Sequence, residues 1–137
     1  MNSNRPILLV EDDSVDALTV RRALHEIHVT NRIDIVKNGE EALQYLQNNN
    51  RESPCIILLD INMPRMNGIE FLKEARKKSL LDRIPVVVLT TSKNDEDVIE
   101  SFKFSVAGYI VKPVTYTEFI ETVKTLNLYW TLSELPQ

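Results

Sequence analysis

Four short apolar runs stand out along the chain: Ile7 to Val10, Cys55 to Leu59, Val86 to Leu89 and Tyr109 to Val111. All are rich in Leu or β-branched residues, and such runs read as strands buried on both faces of a sheet. A fifth, Ile33-Asp-Ile-Val36, alternates apolar and polar positions, which suits a strand nearer an edge. Between the runs lie segments with helical spacing: Val20, Ala23, Leu24 and Ile27; Ala42, Leu43 and Leu46; Ile69, Leu72 and Ala75; Val98, Ile99 and Phe102; Phe119, Ile120, Val123 and Leu126. Each carries a start signal, a capping side chain with an acid three positions on: Asp13 with Asp16, Asn38 with Glu41, Asn67 with Glu70, Asn94 with Asp97, Thr115 with Glu118. Strand and helix thus alternate five times. Right-handed crossovers turn that alternation into a doubly wound α/β domain, a mostly parallel sheet with helices on both faces.

The 137 residues suffice for one domain with a full core and are too few for two ordinary ones. A composition 43% hydrophobic and 26% charged, with three Gly and six Pro, excludes disordered and collagen-like classes. Sixteen basic against 20 acidic residues give a net charge of −4, which offers no attraction to nucleic-acid phosphates or anionic lipid. The stretch Ile7 to Val10 is far too short for a secretory segment or a membrane span, so a cytoplasmic protein without direct nucleic-acid or membrane partners is expected. Cys55 is the only cysteine and opens an apolar run, which makes it a buried, reduced thiol rather than a nucleophile.

Sites in open parallel sheets form outside the carboxyl ends of the strands, so the residues that end each run carry the chemistry. The first run ends in Glu11-Asp12-Asp13, the third in Asp60, the fourth in Thr90-Thr91-Ser92 and the fifth in Lys112-Pro113. Asp13 alone is a helix cap, but carboxylates converging from neighbouring strands repel unless a cation sits among them. The candidate ligands are all oxygens and few are charged, which selects Mg²⁺ retaining several waters, with Mn²⁺ as a substitute. His25 and His28 lie on the first helix away from the strand ends and are expected at surface or boundary positions. A buried Lys112 ammonium needs an anionic partner, and an incoming phosphoryl group on Asp60 would complete that balance, with Thr90 as a hydroxyl donor. After Asp60, the loop has Pro64 to fix a turn and Gly68 to permit an open backbone, bringing the Asn62 carbonyl within reach of the metal. Met63 and Met66 are packing residues.

These motifs, Leu9-Val-Glu-Asp-Asp13, Leu58-Leu-Asp-Ile-Asn-Met-Pro-Arg-Met-Asn-Gly68, Val88-Leu-Thr-Thr-Ser92 and Gly108-Tyr-Ile-Val-Lys-Pro113, together resemble the receiver-domain family of bacterial response regulators, chemotaxis regulators included. The resemblance implies a flavodoxin-like sheet of five strands in the order 2-1-3-4-5. It implies that Asp60 takes phosphate from a histidine kinase, that Asp12 ligates Mg²⁺ directly and Glu11 through water, and that Asn62 contributes its backbone carbonyl. Lys112 would pair with the phosphoryl group, Thr90 would hydrogen-bond it, and Tyr109 would change rotamer as Thr90 moves. The Lys112-Pro113 bond is cis in this family. Two positions depart from the common pattern: Glu11 stands where many members have Asp, and Thr91 where a smaller residue is common.

The resemblance makes residues 1–137 one receiver domain, with a core over about 5–127 and an apolar extension over 128–137. Leu128, Tyr129, Trp130, Leu132 and Leu135 either cover the core or form an interface. This ending is similar to the small response regulators paired with bacterial and cyanobacterial phytochrome kinases. Members of that group form homodimers through the fourth helix, the fifth strand and the fifth helix. A switch of this kind is no enzyme beyond Mg²⁺-dependent self-phosphorylation and autodephosphorylation. Two other readings compete: a small-molecule phosphatase working through an aspartyl-phosphate, and a constitutive docking module.

Overall fold

The computed structural model describes residues 3–48, 50–61, 63, 66–90, 106–112, 114–125, 128 and 131–134, with only the backbone of Tyr116. The strands are β1 (Ile7–Val10), β2 (Ile33–Val36), β3 (Ile56–Asp60), β4 (Val86–Thr90) and β5 (Gly108–Val111), and they pair in parallel in the order β2-β1-β3-β4-β5. The described helices are α1 (Ser14–Glu26), α2 (Gly39–Gln47), α3 (Gly68–Lys77) and α4 (Tyr116–Thr125). The last corresponds to the fifth helical pattern of the sequence. The pattern around Val98, Ile99 and Phe102, with its start at Asn94 and Asp97, lies outside the described residues.

Strand alternation sorts the core into two layers. Ile7, Leu9, Ile56, Leu58, Val87, Leu89 and Ile110 face α1 and α4 and meet Ala17, Val20, Leu24, Phe119 and Val123. Leu8, Val10, Ile57, Leu59, Val86 and Val88 face α2 and α3 and meet Ala42, Leu43, Phe71, Leu72 and Ala75. With both faces covered, β1, β3 and β4 have no solvent side, which is why they read as continuous apolar runs. At the β2 edge, Asp34 accepts the Tyr45 hydroxyl at 2.6 Å and pairs with Arg32 at 3.0 Å, while the Arg51 guanidinium lies 4.9 Å over the Tyr45 ring.

Helix starts follow the capping signals. Asp13 accepts the N–H groups of Val15 and Asp16, Asn38 that of Glu41, and Thr115 that of Glu118, while Asn67 and Glu70 form a reciprocal capping box. Gly68 differs from expectation. No described glycine has positive φ; instead, a Cβ at Gly68 would lie 2.7 Å from the Asp60 carbonyl oxygen and 2.8 Å from Ile61 Cα. The glycine serves close approach rather than an open backbone, letting the start of α3 press against the end of β3.

Past α4, Leu132 is fully buried in the layer under α1 and α4, and Leu128 packs against the same layer. The Ser133 N–H and hydroxyl both donate to Asn31 Oδ1, at 3.0 and 2.7 Å, and Asn31 Nδ2 donates to the carbonyls of Ser3 and Arg5 at 2.8 and 2.7 Å. The described part of the extension therefore covers core; Tyr129, Trp130 and Leu135 lie outside the described residues.

Candidate functional site

The parallel ladder continues one step past several strands and fixes the backbone of the site. The Glu11 N–H donates to the Val36 carbonyl at 2.9 Å, that of Ile61 to Leu89 at 3.2 Å, and that of Lys112 to Thr90 at 2.7 Å. Val10 is registered with Leu59, so the next residue on each strand brings Glu11 beside Asp60. Glu11, Asp60 and Lys112 each follow by two the residues Leu9, Leu58 and Ile110, and so belong to the sheet face that packs on α1 and α4. Thr90 ends β4 fully buried. Tyr109, 44% exposed, stands on β5 in register with Val88, two residues before the Thr90 level.

Glu11, Asp12 and Asp60 offer carboxylate oxygens that all lie within 4.8 Å of one another; Glu11 and Asp60 are buried and Asp12 is exposed. Two such charges repel by roughly 3–4 kcal/mol at an effective dielectric near 20, an arrangement that calls for positive charge. An all-oxygen donor set with a solvent-facing member fits a hard divalent ion that keeps part of its water shell. Neither histidine belongs to this cluster, and both are exposed on and just past α1.

Lys112 supplies the resident positive charge. Its Nζ lies 2.6 Å from Glu11 Oε1, 3.0 Å from Asp16 Oδ2 and 3.5 Å from Asp60 Oδ2, and its side chain is only 5% exposed. Burial works against this ammonium, but hydrogen bonds to Glu11 and Asp16 and the charges of Asp60 and Glu11 hold its pKa above the ordinary lysine value. Glu11 moves the other way for a carboxylate. Burial and the neighbouring Asp60 carboxylate push it up to about 7 against the pull of Lys112. At Glu11, burial beside a second carboxylate thus outweighs the pull of the Lys112 ammonium.

The structure brings Glu11, Asp12, Asp60 and Lys112 together, with Thr90 at the next strand end. Asn62, Thr91, Ser92 and Pro113 lie outside the described residues. Asp16 went unrecognised as part of this group because its position reads as the acid of a capping signal; in the structure the Asp13 side chain does the capping and Asp16 turns to Lys112. Lys112 accordingly has carboxylate partners before any phosphoryl group arrives. The Cys55 thiol is buried, donates to the Arg5 carbonyl at 3.4 Å, and is pushed up to about 11 by burial, a neutral packing group.

A five-stranded doubly wound sheet with an acid cluster and a buried lysine at its carboxyl edge defines a receiver-type signalling domain. The chain belongs to the response regulator receiver domain family, whose model matches residues 7–124. It is 36% identical over 133 residues to the response regulator Rcp1 of Synechocystis sp. (strain ATCC 27184 / PCC 6803 / Kazusa), covering 94% of this chain and 90% of that protein. It is also 36% identical over 127 residues to the probable methanogenesis regulatory protein FilR2 of Methanothrix harundinacea (strain 6Ac), covering 90% of this chain and 82% of the relative. Among solved structures, the bacteriophytochrome response regulator RtBRR superposes with a TM-score of 0.83 at 37% identity, covering 98% of this chain and 85% of that one. The Mn(2+)-bound form of Rcp1 does so with a TM-score of 0.75 at 36% identity, over 97% and 99% of the two chains. The partners of receiver domains are histidine kinases, and the family works as a signalling switch. No described helix is long and apolar enough to cross a membrane.

Proposed function

We propose that Asp60 is the phosphoryl acceptor of a two-component switch. Its carboxylate would attack the phosphorus of a phosphohistidine, forming an acyl phosphate as the P–N bond breaks and the imidazole leaves with the electron pair. The supporting observation is the placement of the Lys112 ammonium 3.5 Å from Asp60 Oδ2, beside a carboxylate set that needs a cation. Asp12 and Asp60 would hold Mg²⁺ directly, Glu11 through water, and Asn62 through its backbone carbonyl, with Mn²⁺ as a substitute. The bound ion supplies charge neutralisation for the carboxylates and the phosphoryl oxygens. Lys112 pairs with the phosphoryl group, the Thr90 hydroxyl is drawn to it, and Tyr109 on the neighbouring strand passes the change to the surface.

The partner we infer is a histidine kinase of the phytochrome type, in the cytoplasm, and the output is a change in protein contacts. Likeness to RtBRR and to Rcp1, both response regulators, supports this over a phosphatase. The position two residues after Asp60 is Asn62, whose amide cannot act as the acid a phosphatase needs. We further propose a homodimer through the fourth helical pattern of the sequence, around Val98, Ile99 and Phe102, together with β5 and α4 and extended by the apolar tail. Incubation with Mg²⁺ and a small acyl phosphate should give a labile adduct in the wild type and none in Asp60→Asn. Identical behaviour of the two proteins would sink the assignment. A sizing column run on the same protein with and without beryllofluoride tests the dimer; a single monomer peak in both states removes it.

A further inference from the structure

We infer that Asp16, in the first turn of α1, is a positioning residue that holds the Lys112 ammonium where it meets the phosphoryl group on Asp60. The inference rests on the phosphorylation reading above.

Asp16 occupies an unusual place for an acid. It precedes the buried Val20 by four residues, and so lies on the inward row that continues through Ala23 and Leu24. The capping of α1 belongs to Asp13, which accepts the Val15 and Asp16 N–H groups. A favourable place near the helix N-terminus would be satisfied by an acid facing solvent. Asp16 instead directs Oδ2 to Lys112 Nζ at 3.0 Å, with its side chain 35% exposed against 5% for the lysine.

An ammonium carries three N–H donors. Glu11 Oε1 and Asp16 Oδ2 accept two of them at 2.6 and 3.0 Å, while Asp60 Oδ2 lies at 3.5 Å, a charge contact longer than a good hydrogen bond. Two fixed bonds orient the head group and leave its remaining donor for an oxygen arriving at Asp60. Of the three surrounding carboxylates, Glu11 and Asp60 belong to the acid cluster and Asp16 does not. With Glu11, Asp12 and Asp60 holding a divalent ion, Asp16 would be the anchor whose hold on Lys112 persists. The contact also ties the start of α1 to the end of β5.

The test uses the full chain at saturating Mg²⁺, with fluorine NMR following the protein-bound beryllofluoride signal during titration. In Asp16→Ala the concentration for half-saturation should rise roughly tenfold, the equilibrium worth of one hydrogen bond to a charged group. Asp16→Asn keeps an acceptor oxygen at the same reach and should restore most of the loss, while Mg²⁺ affinity without beryllofluoride stays within about twofold for all three proteins. Unchanged or tighter binding in Asp16→Ala overturns the inference, as does an Asn variant as weak as the Ala variant. A wild type that binds saturably with an unaffected Ala variant removes only this role for Asp16. A wild type without any bound signal removes the phosphorylation reading and this inference with it.

Discussion

At the scale of single residues, space around Asp60 is set by what is missing. Gly68 has no Cβ, and the one it would carry meets backbone atoms of Asp60 and Ile61 rather than flexible side-chain ends. Backbone cannot swing aside as a side chain can, so Gly68→Ala must push the start of α3 away from β3. A loss of about 1–3 kcal/mol in urea unfolding is expected, with weaker beryllofluoride binding because Asp60 moves with its carbonyl. Stability within a few tenths of the wild type would show that the loop adjusts freely. Gly68 was legible as a special position, but its reason was not. Periodicity and turn chemistry describe a residue's own conformation and carry no information about which distant backbone it touches. Asp16 is a second case, since an acid three positions after Asp13 looks like a cap partner until Lys112 is placed beside it.

At the scale of elements, the strands were legible because double-sided burial leaves them as apolar runs. Their ends were less so: β3 runs from Ile56 to Asp60 rather than beginning at Cys55, and β5 begins at Gly108, which has no apolar side chain to announce it. The segment after α4 was legible only as apolar. Its attachment depends on Asn31, whose amide accepts from Ser133, 102 residues further along the chain, and donates to the carbonyls of Ser3 and Arg5. No local pattern encodes a polar contact of that span. Asn31→Ala leaves the buried Ser133 N–H and the partly buried Ser3 and Arg5 carbonyls without this partner, and should cost about 1–3 kcal/mol in denaturant unfolding. A change below about 0.5 kcal/mol, the range of ordinary surface substitutions, would mean water replaces the amide readily.

At the scale of the molecule, the carboxyl edge concentrates negative charge on a chain that already carries −4. Four carboxyl groups, Glu11, Asp12, Asp16 and Asp60, share one described ammonium, that of Lys112. In chelator-treated buffer, Asp60→Asn should therefore melt above the wild type, because it removes one of the repelling charges. Addition of Mg²⁺ should reverse the order: a ligand at a hundred times its Kd stabilises by about 2.7 kcal/mol, and the variant that lacks the Asp60 carboxylate gains less. Thermal denaturation of both proteins with and without Mg²⁺ decides this, and a wild type that melts higher in both conditions contradicts it. The convergence behind this prediction was the most legible feature of all. Strand alternation and the rule that sites lie beyond the carboxyl ends assemble Glu11, Asp12, Asp60, Thr90 and Lys112 from the ends of four strands.

The Asn31 contact has one more consequence. Ser3 and Ser133 bond to opposite ends of the same amide, at the edge of the sheet where the strands begin and remote from Asp60. Seen this way, one side chain fastens both the segment that enters β1 and the segment that follows α4. Segments that share one fastening come loose together, so their amide hydrogens should exchange as one unit.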